Sequence, residues 1–539
     1  MPLIDAHVGR QTDPSTHPPL LSVTRLSSAA DTTARWENRL LALALVGLTV
    51  LLCAEAVVSL RWRMVHDTPL LHYAAWQIAE LGKAPYEQVL DTSLPGSLMA
   101  HIAIGKVFGW GDLGFQLANL GWLGALLGFT WATLKRVDTR VAWAATVLYG
   151  LSYFGNGPWM VLQRDGAALL PVAAALWMAT SRWGPRRWAS AFVELAFGCA
   201  ATVKPHLLIG FPIVALFPWV EERADFSHVW RPAFAGLAWG VLGMAVPVGL
   251  AILWVVSHGA TGAIVEVFRE YLHLHLHLSG DHTVIRGSER LPHLIRGIRS
   301  LGGHAFWLAP LFVVGVQAVD ARRDRRQRAT ATLLLALTMA YALYPALAGQ
   351  FWDYHWMPFQ YFAAITAALV IAPHAKSATA RERALPLLLF VAFVAFHLRP
   401  APNFAAEVAG ASMPAPKDGR VDAIAEFLDA NLVAGDTVQP LDWSGGAVHA
   451  MLLAEASCAS RFLFDYHFYH DLESPVVQRW RAQFLSHFEA TQPDWVIRFD
   501  GQRVFGEGTE QEWEALDRLI DADYQLALDG DGFEILEHR

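Results

Sequence analysis

The feature that most restricts this chain is LLALALVGLTVLLCAEAVVSL, from Leu40 to Leu60, a run in which Glu55 is the one charged residue. Roughly twenty apolar residues in a helix rising about 1.5 Å each cross the ~30 Å hydrocarbon core of a bilayer. Similar runs recur at about 115–134, 141–155, 166–180, 189–203, 206–220, 233–257, 304–319, 329–348, 356–372 and 384–398, so with 40–60 about eleven transmembrane helices are expected. Composition agrees, with 54% of residues hydrophobic and 17% charged, against about 25% charged in a soluble globular protein. The expected fold class is an α-helical polytopic membrane protein with a C-terminal extracytoplasmic α/β domain. Several runs are shorter than an ideal span and call for tilting, or for flanking Trp and Tyr at the headgroups.

Basic residues order the loops. Residues 1–39 form a polar tail with Arg25, Arg35 and Arg39 close to the first span, and they read as preceding an uncleaved anchor. With that tail cytoplasmic, the gaps holding Lys135, Arg136 and Arg140, then Arg182, Arg186 and Arg187, then Arg223 and Arg231, then ARRDRRQR from Ala321, then Lys376, Arg381 and Arg383 all fall inside. Short loops rich in Lys and Arg stay on that side. The outer gaps are then a large first loop, 61–114, the short gaps at Arg164 and Lys204, and a second long loop, 258–303, although both long loops carry basic residues too. The membrane domain is expected to run from 40 to 398. Beyond it, RPAPNFAAEVAGASMPAPKDGR is a linker, and 399–539 reads as linker plus outer α/β domain. VDAIAEFLDANL and EQEWEALDRLI have helical periodicity, and DTVQPLDW and DWVIRF read as strands.

A net charge of -8 and a pI near 6.3 give no footprint for nucleic acid. Cys53, Cys199 and Cys458 make neither a disulfide framework nor a ligand-spaced metal cluster. No repeat of 20 to 50 residues is evident.

Asp67 stands just past the first span, in RMVHDTPLLHYAAWQIAELGKAPY. The segment Leu70–Leu81 has helical spacing suited to lying flat at the interface. Asp67 followed by Thr68 and Pro69 also fits a helix cap.

Downstream of Asp67 come Gly82, Pro85 and Tyr86, then Leu94, Pro95 and Gly96 before the second span. An acidic residue, a Gly-x-x-Pro-Tyr-like element and a Pro-Gly element, in that order in a first outer loop, resemble the polyprenyl-phosphate-sugar-dependent glycosyltransferases of the GT-C fold. That superfamily includes the protein O-mannosyltransferases and the aminoarabinose transferase of lipid A. It commonly has a second acidic residue near the first, whereas here His66 is the neighbour and Asp91 lies well downstream. The resemblance implies Asp67 as general base on an acceptor and cations that hold the lipid phosphate; no cofactor is expected, with a divalent metal not favoured.

Candidates for the phosphate are Arg164 in VLQRDGAALL and Lys204 in TVKPHLL, with His355 in GQFWDYHWMPFQYF as a further contact. Charges so near lipid are costly unless they serve a substrate or pathway. The plainer alternatives are that Arg164 pairs with Asp165, that Lys204 snorkels to headgroups, and that Trp352, Tyr354 and Trp356 form an aromatic belt. His66, Tyr86, Asp91, Asp165, His206 and Tyr354 are further candidate substrate contacts. In HLHLHLHLSGDH, His273, His275 and His277, followed by Asp281 and His282, would share one face on a strand but spread apart on a helix. The helical look of VEVFREYL before them disfavours a metal site.

The expected activity is an inverting transfer of a sugar from a polyprenyl-phosphate donor to a cell-envelope glycan, lipid or protein acceptor, at the outer face of the plasma (inner) membrane. The rival classes are a lipid or polysaccharide transporter or flippase, against which no matched pair of broken spans is seen, and an O-antigen-ligase-like enzyme.

Overall fold

The computed structural model describes residues 21–181, 186–222, 230–277, 284–304, 308–373, 380–443, 445–499, 506, 508 and 512–539. Two compact units are present, Met1–Val50 and Leu51–Arg539. In the first, the long helix Leu21–Ser59 begins, and Leu43, Val46 and Val50 make an exposed aliphatic stripe along it, as a lipid-facing helix requires.

Among the described residues, three helices are long and apolar enough to cross a bilayer: Asn38–Ser59, Asp112–Leu134 and Arg325–Ala348. Leu242–Ser257 and Thr261–Leu274, bent by 120°, make a fourth if they are one span. The other apolar runs also form helices, among them Thr139–Gly155, Leu169–Thr180, Arg186–Val203, Phe211–Glu222 and Met357–Ala367, but these are shorter or interrupted. The run 166–180, for example, is split at Ala168 between a single turn, Arg164–Ala167, and Leu169–Thr180. The run 206–220 opens with the 3-10 segment Pro205–Gly210.

Small residues bring the helices together. Arg186–Val203 packs along Trp230–Ser257, and a Cβ added to Gly198 would stand 2.6 Å from Pro247 and 2.8 Å from the Met244 carbonyl, so glycine is required for that approach.

The C-terminal part carries a sheet of β1 (Thr437–Leu441), β2 (Ser457–Cys458), β3 (Trp495–Phe499), β4 (Tyr524–Gly530) and β5 (Phe533–His538), in the order β2-β1-β3-β5-β4. The pairs β1–β2 and β1–β3 are parallel, and β5 runs antiparallel to both β3 and β4. Pro440 sits in the inner strand β1, a position normally closed to proline. It fits because β2 pairs only with Thr437 and Val438, so the edge of β1 at Pro440 has no ladder bond to lose. The helices Arg420–Asn431 and Glu514–Asp523 form where periodicity placed them.

The first long loop, 61–114, is clamped to this α/β part. Tyr73 donates to the Ala456 carbonyl at 2.7 Å, Lys83 to the Cys458 carbonyl at 2.8 Å, and the Leu90 N–H to the Arg461 carbonyl at 2.8 Å. Helix Thr68–Glu80 consequently does not lie flat on lipid. Its residues from Thr68 to Ile78 are buried except Leu70, and it packs on Pro95–Phe108 and on Ala447–Leu453. The sequence pattern gave the helix and mistook its environment, because a covering domain some 380 residues away in the chain leaves no local trace.

Candidate active site

His66 adopts a left-handed backbone, φ 63°, and turns the chain so that Asp67 heads helix Thr68–Glu80. Holding a non-glycine residue there costs about 1–3 kcal/mol. Asp67 occupies the cap position but makes no side-chain capping bond. Its carboxylate instead accepts from Arg164 Nη2 at 3.3 Å through Oδ2, while Oδ1 lies 3.2 Å from His66 Nδ1. The His66 ring packs on Trp159 with centroids 4.0 Å apart.

Arg164 and Asp165 do not pair as neighbours. The single turn Arg164–Ala167 sends Arg164 toward the first loop, where Nη1 also donates to Ser93 Oγ at 2.9 Å, and sends Asp165 the opposite way. Asp165 is fully buried, accepts from the Tyr344 hydroxyl, and faces Lys204 Nζ at 3.5 Å. Lys204 is therefore turned inward, with its side chain 17% exposed, and does not snorkel to headgroups. Two acid–base pairs, Asp67–Arg164 and Asp165–Lys204, thus stand back to back on consecutive residues of one short turn.

Electrostatics follow from this burial. Loss of hydration works against the Arg164 charge, but Asp67, Tyr354, Asp91 and Asp165 outweigh it and hold its pKa above the ordinary arginine value. Burial likewise pushes the Asp165 carboxyl up, while Lys204, His355, the Tyr344 hydrogen bond and Arg164 together bring it below the usual range. Lys204 is drawn below the ordinary lysine value by burial, against the pull of Asp165. The net result is a largely shielded charged cluster around the fully buried Asp165.

Asp91 joins the cluster from the far end of the loop. It is 4% exposed, caps the Ser93 N–H through Oδ1, and feels both Arg164 and Asp67. Burial raises its pKa above the usual carboxylate value. A second carboxylate thus lies within electrostatic reach of Asp67 although it is distant in sequence. Tyr86, also left-handed (φ 62°) and buried, positions this stretch by donating to the Ser93 carbonyl at 2.8 Å.

His355 is completely buried in the 3-10 turn Asp353–Trp356, stacked on Trp352, and neither ring nitrogen has a hydrogen-bond partner among the described residues. Burial, with the Lys204 and Arg164 charges, keeps it neutral, with a pKa of about 3. Tyr354 and Trp356 are buried as well, at 1% and 5% exposure, and pack within the cluster. His206 stands at the edge of the cluster: it is exposed, meets the edge of the Tyr344 ring at 6.1 Å, and lies within electrostatic reach of Lys204, Asp165 and His355.

Ser93 and Tyr344, which hold Arg164 and Asp165, gave no signal of their own in the sequence. The His run lies in the 3-10 turn Leu272–His277, which follows the π-helical turn Val267–Tyr271, so it is not a strand. The side chains of His275 and His277, together with residues 278–283, lie outside the described residues. Among the described residues, no group of three His, Cys, Asp or Glu is arranged to hold a metal.

A helical part with helices of membrane-spanning length, a long loop after the first of them and a small C-terminal α/β unit make up the fold, which is that of the GT-C membrane enzymes. The chain is similar to the apo crystal structure of ArnT from Cupriavidus metallidurans, with TM-score 0.58 and 14% identity over 94% of this chain and 98% of that one. It is also similar to the structure of the same ArnT bound to undecaprenyl phosphate, with TM-score 0.55 and 14% identity over 91% of this chain and 97% of that one. A weaker likeness, TM-score 0.44 and 13% identity over 84% of this chain and 69% of that one, is to the apo oligosaccharyltransferase of Archaeoglobus fulgidus. No protein-family model matches the chain, and no curated protein matches it in sequence.

Proposed function

We propose that the chain is a membrane glycosyltransferase that moves a sugar from a polyprenyl-phosphate donor to a hydroxyl or amine of a cell-envelope acceptor at the outer face, with inversion. The observation that carries this reading is the pair of largely shielded acid–base couples, Asp67–Arg164 and Asp165–Lys204, arranged back to back about one short turn, with Asp165 fully buried and the other three partly buried. Like a phosphate site, the cluster offers two cations from different elements; like a transferase, it sets a carboxylate beside them. A protein of the same fold, ArnT, has been crystallised with undecaprenyl phosphate, which supports a polyprenyl phosphate as donor.

In the reaction the acceptor oxygen or nitrogen bonds to the anomeric carbon while its proton passes to Asp67. The bond from that carbon to the phosphate oxygen breaks, and its electron pair stays on the phosphate. Lys204 and Arg164 stabilise that developing charge in a site with little competing water. Arg164 exchanges part of its contact with Asp67 for the phosphate, freeing the carboxylate as the donor arrives. Neutral His355 and Tyr354 line the phosphate side, and Asp91 and Ser93 orient Arg164.

In this reading the chain lies in the plasma membrane with about eleven spans over 40–398, some of them broken, a cytoplasmic tail of residues 1–39, and residues 399–539 outside. The test is purified protein in vesicles with radiolabelled polyprenyl-phosphate sugar and cell-envelope acceptor. Label should move from lipid to acceptor. Movement of the lipid across the bilayer without transfer would replace the enzyme by a flippase.

A further inference from the structure

Helix Arg290–His304 follows the second outer loop and ends three residues before the apolar helix Leu308–Val319. Its inner face is accounted for. The His293 ring packs on Phe351 with centroids 4.8 Å apart, Leu294 is buried, the Trp356 indole lies where a Cβ on Gly297 would stand, and Arg290 donates to the Ile285 carbonyl at 3.0 Å. This contact with Trp356 fixes the helix on the rim of the candidate site, one residue from His355.

The opposite face is uncovered. Leu291 is 63% and Ile295 56% exposed, and Arg296 and Arg299, one turn and less from Ile295, are exposed as well. The side chains of Arg296, Arg299 and the nearby Arg286 have no hydrogen-bond or ion-pair partner among the described residues, and over 284–304 four arginines face one acid, Glu289. Two neighbouring aliphatics bordered by free arginines are what a helix presents when it lies in the headgroup layer, its apolar edge in the acyl boundary and its guanidinium groups on phosphates.

We infer that Arg290–His304 is an interfacial helix that docks on anionic phospholipid headgroups of the leaflet into which the candidate site opens. The occupant follows from position and charge. The next apolar helix begins within one turn of its end, so the bilayer surface is the partner at hand, and the excess of arginine selects anionic over zwitterionic lipid. Each arginine near such a surface contributes roughly a fivefold preference. Because Gly297 and His293 tie the helix to Trp356 and Phe351, lipid binding on one face steadies the aromatic wall of the site on the other. The inference requires that the chain sits in a bilayer and does not depend on which reaction it performs.

The experiment uses the full chain in nanodiscs of phosphatidylcholine with phosphatidylglycerol. A spin label is placed at Ile295→Cys with Cys53, Cys199 and Cys458 replaced, and its collision rates with oxygen and with a water-soluble nickel chelate are compared. Oxygen should dominate; a label more accessible to nickel would put the helix in water and overturn the inference. Lipid retained on the parent should be enriched in phosphatidylglycerol. Arg296→Gln with Arg299→Gln should lower that enrichment at least several-fold, and the double Lys variant should keep it. No enrichment in the parent, or the same enrichment in the Gln pair, would overturn the anionic-lipid assignment.

Discussion

Asp67→Asn separates the chemical role of this residue from its structural ones. The amide can still accept a hydrogen bond from Arg164, now 3.3 Å away, but it carries no charge and cannot take a proton. Helix Thr68–Glu80 loses no capping bond, since the carboxylate makes none. Arg164 keeps Ser93 Oγ at 2.9 Å and remains within the field of Asp91 and Asp165. The stability cost is therefore well below the roughly 3–5 kcal/mol of orphaning a buried ion, and about 1–2 kcal/mol is expected. Loss of a general base lowers the rate roughly 10²- to 10⁴-fold, equivalent to about 2.7–5.5 kcal/mol on the barrier. The assay is single-turnover transfer at saturating donor, with thermal melting of both proteins in the same detergent. Turnover near the parent's with a lowered melting temperature would refute the catalytic assignment and leave Asp67 as a partner that positions Arg164.

Lys204→Met leaves Asp165 buried without its cation and should cost about 3–5 kcal/mol, whereas Lys204→Met with Asp165→Leu should melt close to the parent yet still fail to bind polyprenyl phosphate. Recovery of binding in the double variant would show that the pair is structural only. Asp91 has a pKa raised by burial, so between the ordinary carboxylate value, about 3.9, and its raised native value the folded state holds a proton that the unfolded state has lost. Stability should then fall as pH rises through that window, and Asp91→Asn should flatten this part of the melting-temperature profile. For topology, single cysteines at the exposed positions Glu87 and Val433 should react with an impermeant reagent added outside, and one at Arg325 should not; labelling at Arg325 would invert the orientation.

What the sequence determined by itself follows from its local physics. Apolar runs of bilayer length dictate membrane helices, because an unpaired backbone cannot cross hydrocarbon, and the periodicity of residues 421–432, 437–441 and 495–499 dictated the helix and strands found there. The order Asp67, Gly82, Pro85, Tyr86, Pro95 resembled the GT-C enzymes, and the structure has that fold. Only the tertiary structure decided who pairs with whom. Adjacent in sequence, Arg164 and Asp165 looked like partners, but a one-turn helix points them apart, to Asp67 in one direction and Lys204 in the other. Asp91, 24 positions from Asp67, comes within electrostatic reach of it through the folded loop, whose Leu90 N–H is held by the Arg461 carbonyl. That clamp is made of contacts spanning more than 350 residues, such as Tyr73 to Ala456 and Lys83 to Cys458. Propensity and periodicity act over a turn or two, so neither could register a partner so distant, and burial of the charged cluster is a property of the packed molecule alone.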